Sequence, residues 1–213
     1  MMKKILMGTF LITAVTFCNY SFAQNDANAK KILDKVSANI KTIPALKASF
    51  TYITQNKNKS EKNTESGILY MKGNKYYFKR GVNEIFSNGI KTWNYNGNDE
   101  VIVENVDASD EEAFTPQKFL SDFYEKEYTY QLISSSGDYY TIQLTPIDKR
   151  KNFKQVYIYI NKSKNLVTKA KIWDKAGNTI DFTLSNIDTK ASLPDSKFVF
   201  DTSTHPGVEV ITQ

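Results

Sequence analysis

Residues able to do covalent or metal chemistry are scarce in this sequence. It has 213 residues, of which one is a cysteine, Cys18, and one is a histidine, His205. A structural zinc site takes four Cys or His ligands, and a Cys–His dyad would require the two ends of the chain to meet. The sequence therefore argues against a zinc protein and against cysteine-based catalysis, and it predicts no metal site.

The local motifs of the common catalytic centres are missing as well. The chain has no G-x-S-x-G elbow, no G-x-x-x-x-G-K-[ST] loop, no H-E-x-x-H helix and no G-x-G-x-x-G turn. The acidic run from Asp107 to Glu112 lacks the D-x-D-x-D-G spacing of a calcium loop, so we interpret it as surface charge before a helix. Paired carboxylates of a glycosidase are defined by their distance in space, so an exported hydrolase stays open as an alternative. The preferred prediction is a protein that is not an enzyme and uses no cofactor.

The charge of the chain is spread rather than concentrated. There are 28 Lys+Arg residues against 23 Asp+Glu residues, and only Arg80 and Arg150 are arginines. A nucleic-acid groove would gather positive charge and use arginine side chains. The 13 Tyr and 13 Phe residues instead favour a β-rich domain with an aromatic interior and no nucleic-acid partner.

Residues 1–23 have the form of a secretory signal peptide. Two lysines precede an apolar stretch from Ile5 to Phe17, and Ser21-Phe22-Ala23 supplies the small residues of a cleavage site. The apolar stretch is shorter than the roughly 20 residues that span a bilayer as a helix. We therefore predict export across a membrane and a soluble, monomeric mature domain over residues 24–213.

Cys18 permits a second interpretation of this segment, as the signal of a lipoprotein. Acylation of Cys18 would anchor the protein to a membrane. Lipoprotein signals place a small residue before the cysteine, whereas this chain has Phe17 there. The soluble form is therefore preferred over an anchored one.

The first element of the mature chain is predicted to be a helix. Asp26 is a suitable N-cap, and Leu33, Val36 and Ile40 recur at spacings of three and four residues. Pro44 ends the pattern. The apolar stripe indicates a helix that packs on a core or acts as a lid over a cavity.

From Leu46 the hydrophobic period changes to two. Short alternating segments follow one another, joined by turn signals such as Gly73-Asn74 and Asn88-Gly89. The segments have one apolar and one polar face, which is typical of an antiparallel sheet that is wet on one side. The pattern predicts a mainly β protein with one strongly curved antiparallel sheet and short helices.

The strand pattern breaks after Asn105 and resumes at Tyr128. Thr115-Pro116 predicts the start of a second helix, which we expect to end near Glu125. Its apolar face would consist of Phe119, Leu120, Phe123 and Tyr124. Aromatic helices of this kind can cover a curved sheet and enclose a hydrophobic cavity.

Several motifs occur in the order found in one known family. In chain order they are the amphipathic first helix, Ala48-Ser49-Phe50-Thr51, Gly67-x-Leu69-Tyr70, Asn88-Gly89-x-Lys91-Thr92-Trp93-x-Tyr95, Leu144-Thr145-Pro146, Phe153-x-x-Val156, Phe182, Phe198-x-Phe200 and Pro206-Gly207-Val208-x-Val210. This ordered set resembles the LolA family, the periplasmic outer-membrane lipoprotein carrier proteins. It covers almost the whole of the predicted mature chain.

The resemblance implies an incomplete, half-open β-barrel with a helical lid over a cavity that holds acyl chains. Members of the family collect acylated lipoproteins from an inner-membrane ABC transporter and pass them to an outer-membrane acceptor. By analogy, the cavity lining is Phe50, Ile68, Tyr70, Trp93, Val156, Ile158, Ile172, Ile180 and Phe182, and the lid residues are Leu33, Val36, Ile40, Phe119, Leu120 and Phe123. A related half-barrel of the acceptor or lipoprotein-sensor type is the alternative function.

The sequence departs from the family at the end of the second strand. Many relatives carry Lys-Arg-Pro there, with an arginine that holds the lid closed, whereas this chain has Lys72-Gly73-Asn74. A two-residue turn at Gly73-Asn74 would place Lys72 opposite Lys75, and Arg80 opposite Gly67 at the far end of the hairpin. We therefore predict a lid that is held by apolar contacts, without a charged latch.

Overall fold

The computed structural model describes residues 25–106, 124 and 126–213. These residues form one α-helix, α1 (Ala27–Thr42), two short 3₁₀ helices and twelve strands. The predicted signal peptide lies outside the described residues, as does the predicted second helix apart from Tyr124. The strands are β1 (Leu46–Gln55), β2 (Lys62–Lys72), β3 (Lys75–Arg80), β4 (Asn83–Ser87), β5 (Lys91–Tyr95), β6 (Glu100–Asn105), β7 (Tyr128–Ser134), β8 (Tyr139–Pro146), β9 (Phe153–Asn161), β10 (Leu166–Asp174), β11 (Thr179–Asp188) and β12 (Glu209–Thr212).

All twelve strands belong to one open sheet, in the order β12-β6-β5-β4-β3-β2-β1-β11-β10-β9-β8-β7. Two antiparallel meanders, β1–β6 and β7–β11, are joined where β1 pairs with β11. The last strand, β12, adds to β6 in parallel, so the sheet is mixed rather than purely antiparallel. The predicted curved half-barrel is confirmed, with this one correction to the strand directions.

Helix α1 forms where the sequence pattern predicts it. The Asp26 carboxylate accepts hydrogen bonds from the amides of Asn28 (2.7 Å) and Ala29 (3.2 Å), which are otherwise unpaired helix donors. The helix ends at Thr42, because Ile43 takes an extended conformation before Pro44. The apolar stripe is buried, with Leu33, Val36 and Ile40 in the main core.

The main core lies between α1 and one face of the sheet, which we call the concave face. It joins side chains of β2, such as Leu69 and Met71, with side chains of β7, such as Tyr128 and Tyr130. These two strands stand six places apart in the sheet, so the sheet must curve around α1 to bring them together. Ile142, Leu144, Ile158 and Ile160 are fully buried at the centre of this core.

A second apolar cluster covers the opposite, convex face near β3–β6. Residues 195–200, which we call the C-terminal segment, bury Phe198 and Phe200 against this face. The Phe200 ring lies 5.7 Å from the Phe86 ring and 5.2 Å from the Tyr95 ring, measured between centroids. Asp195 holds the start of this segment, because Lys72 and Lys75 both contact its carboxylate at 2.8 Å. This part of the sheet therefore has apolar side chains on both faces.

Among the described residues, none of the helices has the length and apolar character needed to cross a bilayer.

Candidate functional site

Helix α1 is fixed over the β7–β10 half of the concave face. At its start, the Asp26 amide donates to Tyr130 O (3.1 Å) and the Leu132 amide donates to the Asp26 carboxylate (3.2 Å). At its end, the Asn39 amide group donates to Asn165 O (3.1 Å), and Asn165 Nδ2 donates back to a carbonyl of the helix (3.0 Å). The carboxyl of Asp26 accepts hydrogen bonds from the backbone amides of Leu132, Ala29 and Asn28. These bonds, above all that from Leu132, lower the pKa of the Asp26 carboxyl. With both ends bonded to the sheet, α1 acts as part of the core.

The remaining concave face, formed by β1–β5, β10 and β11, has a stack of three phenylalanine rings. The Phe50 ring lies 4.6 Å from the Phe78 ring at an angle of 9°, and 5.9 Å from the Phe182 ring at 24°. Phe50 is buried, whereas Tyr52, Phe78, Ile172, Ile180 and Phe182 on this face are only half-buried. We call this surface the concave patch and define it as Phe50, Tyr52, Phe78, Ile172, Ile180 and Phe182.

A glycine in β2 makes room for the central ring of the concave patch. Gly67 pairs with Phe50 across the β1–β2 ladder, and a Cβ atom at Gly67 would lie 2.4 Å from Phe50 Cζ. The same Cβ atom would lie 2.0 Å from the carbonyl oxygen of Lys79 on the other side. Only glycine therefore lets the Phe50 ring lie against the backbone of β2.

Most of the predicted lining residues that the structure describes are on the concave face. The residues on this face are Phe50, Val156, Ile158, Ile172, Ile180 and Phe182. The cross-strand pairs Tyr52–Phe182, Ile172–Ile180 and Ile172–Val156 show that they share it. Val156 and Ile158 are buried in the core beneath α1, together with Leu33, Val36 and Ile40. Their role in binding an acyl chain remains a prediction. Phe119, Leu120 and Phe123 lie outside the described residues.

The face assignment of Ile68, Tyr70 and Trp93 is wrong. Ile68 pairs with Ser49 and Lys79 on the convex face, and the Tyr70 ring contacts Tyr77 there at 5.5 Å. Trp93 pairs with Phe86 on the same side. The physical reason is the β1–β2 register: Leu46 pairs with Met71, so even-numbered residues of β1 share a face with odd-numbered residues of β2.

Sequence reasoning missed Tyr52 and Phe78 in the concave patch. Tyr52 continues the alternation of Phe50 and lies on the same face, so the pattern itself was sufficient to find it. Phe78 follows from counting across the Gly73-Asn74 turn, because the pair Lys72–Lys75 places Phe78 opposite Leu69. That pair and the pair Gly67–Arg80 confirm the predicted register of the hairpin.

A small cleft lies at the C-terminal end of α1, beside Gly73, the position at which the resemblance places the lid arginine of the LolA family. Its volume is about 40 Å³, and it is lined by Ile40, Lys41, Ile43, Leu46, Met71 and Gly73. Such a volume accommodates a water molecule rather than an acyl chain. The concave patch is therefore the better candidate for binding an apolar ligand.

The sequence and the structure can be compared with those of known proteins. A sequence model of the family described as outer membrane lipoprotein carrier protein LolA matches residues 41–201, which is well over half of the chain. The chain belongs to the LolA family. The LolA fold is a binding and carrier fold rather than a typical enzyme fold. A comparison with curated proteins gives no match.

Several solved structures are similar to this chain at low sequence identity. A LolA superfamily protein from Nitrosomonas europaea is 17% identical, with a TM-score of 0.43 over 82% of this chain and 98% of that one. A DUF1329 family protein from Desulfovibrio piger is 16% identical, with a TM-score of 0.42 over 83% and 98% of the two chains. Pseudomonas aeruginosa MucB, solved in complex with MucA, is 12% identical, with a TM-score of 0.42 over 83% of this chain and 62% of the matched one.

The side chains of the concave patch are aromatic and aliphatic. Within the described part of the chain, no three His, Cys, Asp or Glu side chains come together in a way that could hold a metal ion. In the main core, burial raises the pKa of Tyr128 in β7 to about 12, and burial also raises the pKa of Tyr76 in β3, so neither tyrosine ionises near neutral pH. What the arrangement offers a ligand is aromatic and aliphatic contact area.

Proposed function

We propose that this LolA-family protein is a periplasmic carrier that binds the acyl chains of lipoproteins and transports them from the inner to the outer membrane. The observation that carries the proposal is the concave patch, in which every side chain except Phe50 is half-buried. The patch lies beside α1, on a face of the sheet that elsewhere forms the core. Apolar side chains that stay partly exposed on such a face are available to a ligand.

The energetics of acyl chains require a carrier of this kind. Each buried methylene is worth about 0.8 kcal/mol, so one long chain represents roughly 10 kcal/mol of transfer free energy. A lipoprotein with several such chains cannot cross an aqueous compartment with the chains exposed. An open sheet shields them and still allows release, because the two edge strands, β12 and β7, are not paired with each other.

The partners and location follow from the same proposal. An inner-membrane ABC transporter would supply the acylated lipoprotein, and an outer-membrane acceptor would receive it. Residues 1–23 would be removed on export, leaving a soluble monomer that begins at Gln24. The intact mass of the exported protein checks this step, since acylation at Cys18 would add the mass of a diacylglycerol and indicate an anchored acceptor instead.

A matched pair of variants tests binding at the concave patch. Ile180→Glu places a carboxylate on the concave patch, whereas Ile68→Glu places the same group on the convex face; both isoleucines are half-buried strand residues. A charge against an acyl chain loses solvation without gaining a partner. We expect Ile180→Glu to weaken binding of a fluorescent acyl probe about tenfold or more, and Ile68→Glu to leave it unchanged at a similar melting temperature.

The outcome of a transfer assay separates the carrier from the alternatives. A carrier should release acylated lipoprotein from vesicles that contain the transporter, and should deliver it to outer-membrane vesicles. Acyl binding without release would favour the sensor type of half-barrel. Equal binding by the two glutamate variants would remove the concave patch as the site.

A further inference from the structure

Two opposite charges stand on the concave face, where the other side chains of β1–β5 and β11 are uncharged. Glu65 pairs with Tyr52 across the β1–β2 ladder, and Arg80 pairs with Gly67 across the β2–β3 ladder. Among the residues of β1–β5 and β11, these are the two charged side chains that the register places on this face. All the other charged residues of those strands have their ladder partners on the convex face.

The two side chains form an ion pair at the edge of the concave patch. Arg80 Nε lies 3.1 Å from Glu65 Oε2, and Asn63 Nδ2 donates a hydrogen bond to Glu65 Oε1 at 3.1 Å. Glu65 lies two residues from Gly67 on the same face, so the pair stands about 7 Å along the strand from the residue beneath the Phe50 ring.

Stability alone does not account for this ion pair. The Arg80 side chain is 46% exposed and the Glu65 side chain is 36% exposed, and ion pairs at such exposure contribute little to folding. Both groups are nevertheless open to a ligand that lies on the concave patch. Arg80 is also one of only two arginines in the chain, and guanidinium groups suit planar recognition of carbonyl and carboxylate oxygens.

We propose that the Glu65–Arg80 pair selects the polar end of the cargo, favouring acyl chains joined through an uncharged ester or amide over chains that end in a free carboxylate. This inference rests on the proposed function. The carbonyl oxygen of an ester or amide can accept a hydrogen bond from Arg80 without disturbing Glu65. A free carboxylate is attracted by Arg80 but repelled by Glu65, and it must also lose its solvation.

The selectivity is tested with two probes that share one chain. Pyrene-labelled hexadecanoic acid and its N-methylamide are titrated against the unmodified protein, Glu65→Gln and Arg80→Gln, at low salt and in 1 M NaCl. Lys169→Gln, which removes an exposed cation of the convex face, and Glu209→Gln, which removes an exposed carboxylate of β12, are the matched charge controls.

We expect the unmodified protein to bind the amide more tightly than the acid. Glu65→Gln should raise the affinity for the acid about fivefold and Arg80→Gln should lower it about fivefold, with the affinity for the amide changed less than twofold. Both effects should shrink in 1 M NaCl, where charges on exposed groups are screened. The two control variants should leave the ratio of the affinities unchanged.

Two results would overturn the inference in distinguishable ways. If the amide binds but neither Glu65→Gln nor Arg80→Gln changes the ratio of acid to amide affinity, the pair does not select the polar end and the carrier proposal stands. If neither probe binds the unmodified protein, the proposed function fails and this inference fails with it.

Discussion

The contact between Gly67 and the Phe50 ring gives the most direct test of how the concave patch is built. Gly67→Ala adds one methyl group, which would lie 2.4 Å from Phe50 Cζ and 2.0 Å from the carbonyl oxygen of Lys79. Contacts this short cannot persist, so the Phe50 ring must leave its place against β2 or β3 must move away. Either change disturbs the stack in which the Phe50 and Phe78 rings lie 4.6 Å apart.

The expected loss of stability follows from two contributions. Forcing an extra methyl group into a packed site costs about 1–3 kcal/mol, and an aromatic pair contributes about 1 kcal/mol beyond the area that it buries. We therefore expect Gly67→Ala to lower the free energy of unfolding by about 2–4 kcal/mol in urea denaturation. Acyl-probe affinity should fall as well, because the displaced ring belongs to the concave patch.

Gly73→Ala is the control for the general effect of replacing a turn or strand glycine. A Cβ atom at Gly73 would meet no atom within 4 Å, although the residue has a φ of +59°. We expect a loss of about 1 kcal/mol from the left-handed conformation alone, without a change in acyl binding. A Gly67→Ala protein as stable as Gly73→Ala would refute the packing argument, because it would show that β2 and β3 separate freely.

Three further predictions concern charged groups. Asp26→Ala should destabilise the protein by about 1–2 kcal/mol, because it removes the N-cap of α1 and an accepted bond from β7; thermal melting measures the loss. The pKa of Asp195 is lowered to about 2 by hydrogen bonds from Lys72 and Lys75, so its support of the C-terminal segment should be complete above pH 4 and lost as the pH falls through about 2. Proteolysis of that segment with pepsin across this pH range measures the effect, and Asp195→Asn should abolish the pH dependence. Arg80→Leu should leave release of an acylated lipoprotein unchanged at low and high salt, and a defect in release with normal uptake would identify Arg80 as a latch.

Much of the candidate site could be predicted from local sequence, but not the faces of β2 and β5. Phe50, Ile172 and Phe182 could be assigned to the concave face because apolar and polar residues alternate over Ala48–Tyr52, Lys169–Ile172 and Thr179–Leu184. In β2, the run Ile68-Leu69-Tyr70-Met71 is apolar at every position. A period of two cannot be read from such a run, so the choice of Ile68 and Tyr70 over Leu69 and Met71 had no support in the pattern.

The sequence by itself determined the elements of this protein: the capped helix α1, the hairpin turns at Gly73-Asn74 and Asn88-Gly89, and the order of motifs that identifies the family. Tertiary structure decided which side of each strand lies on the concave face. The C-terminal segment covers the convex face of β3–β6 with Phe198 and Phe200, so that those strands have apolar side chains on both sides. Because this cover comes from residues more than 90 positions along the chain, no local pattern in the strands can show which face it hides.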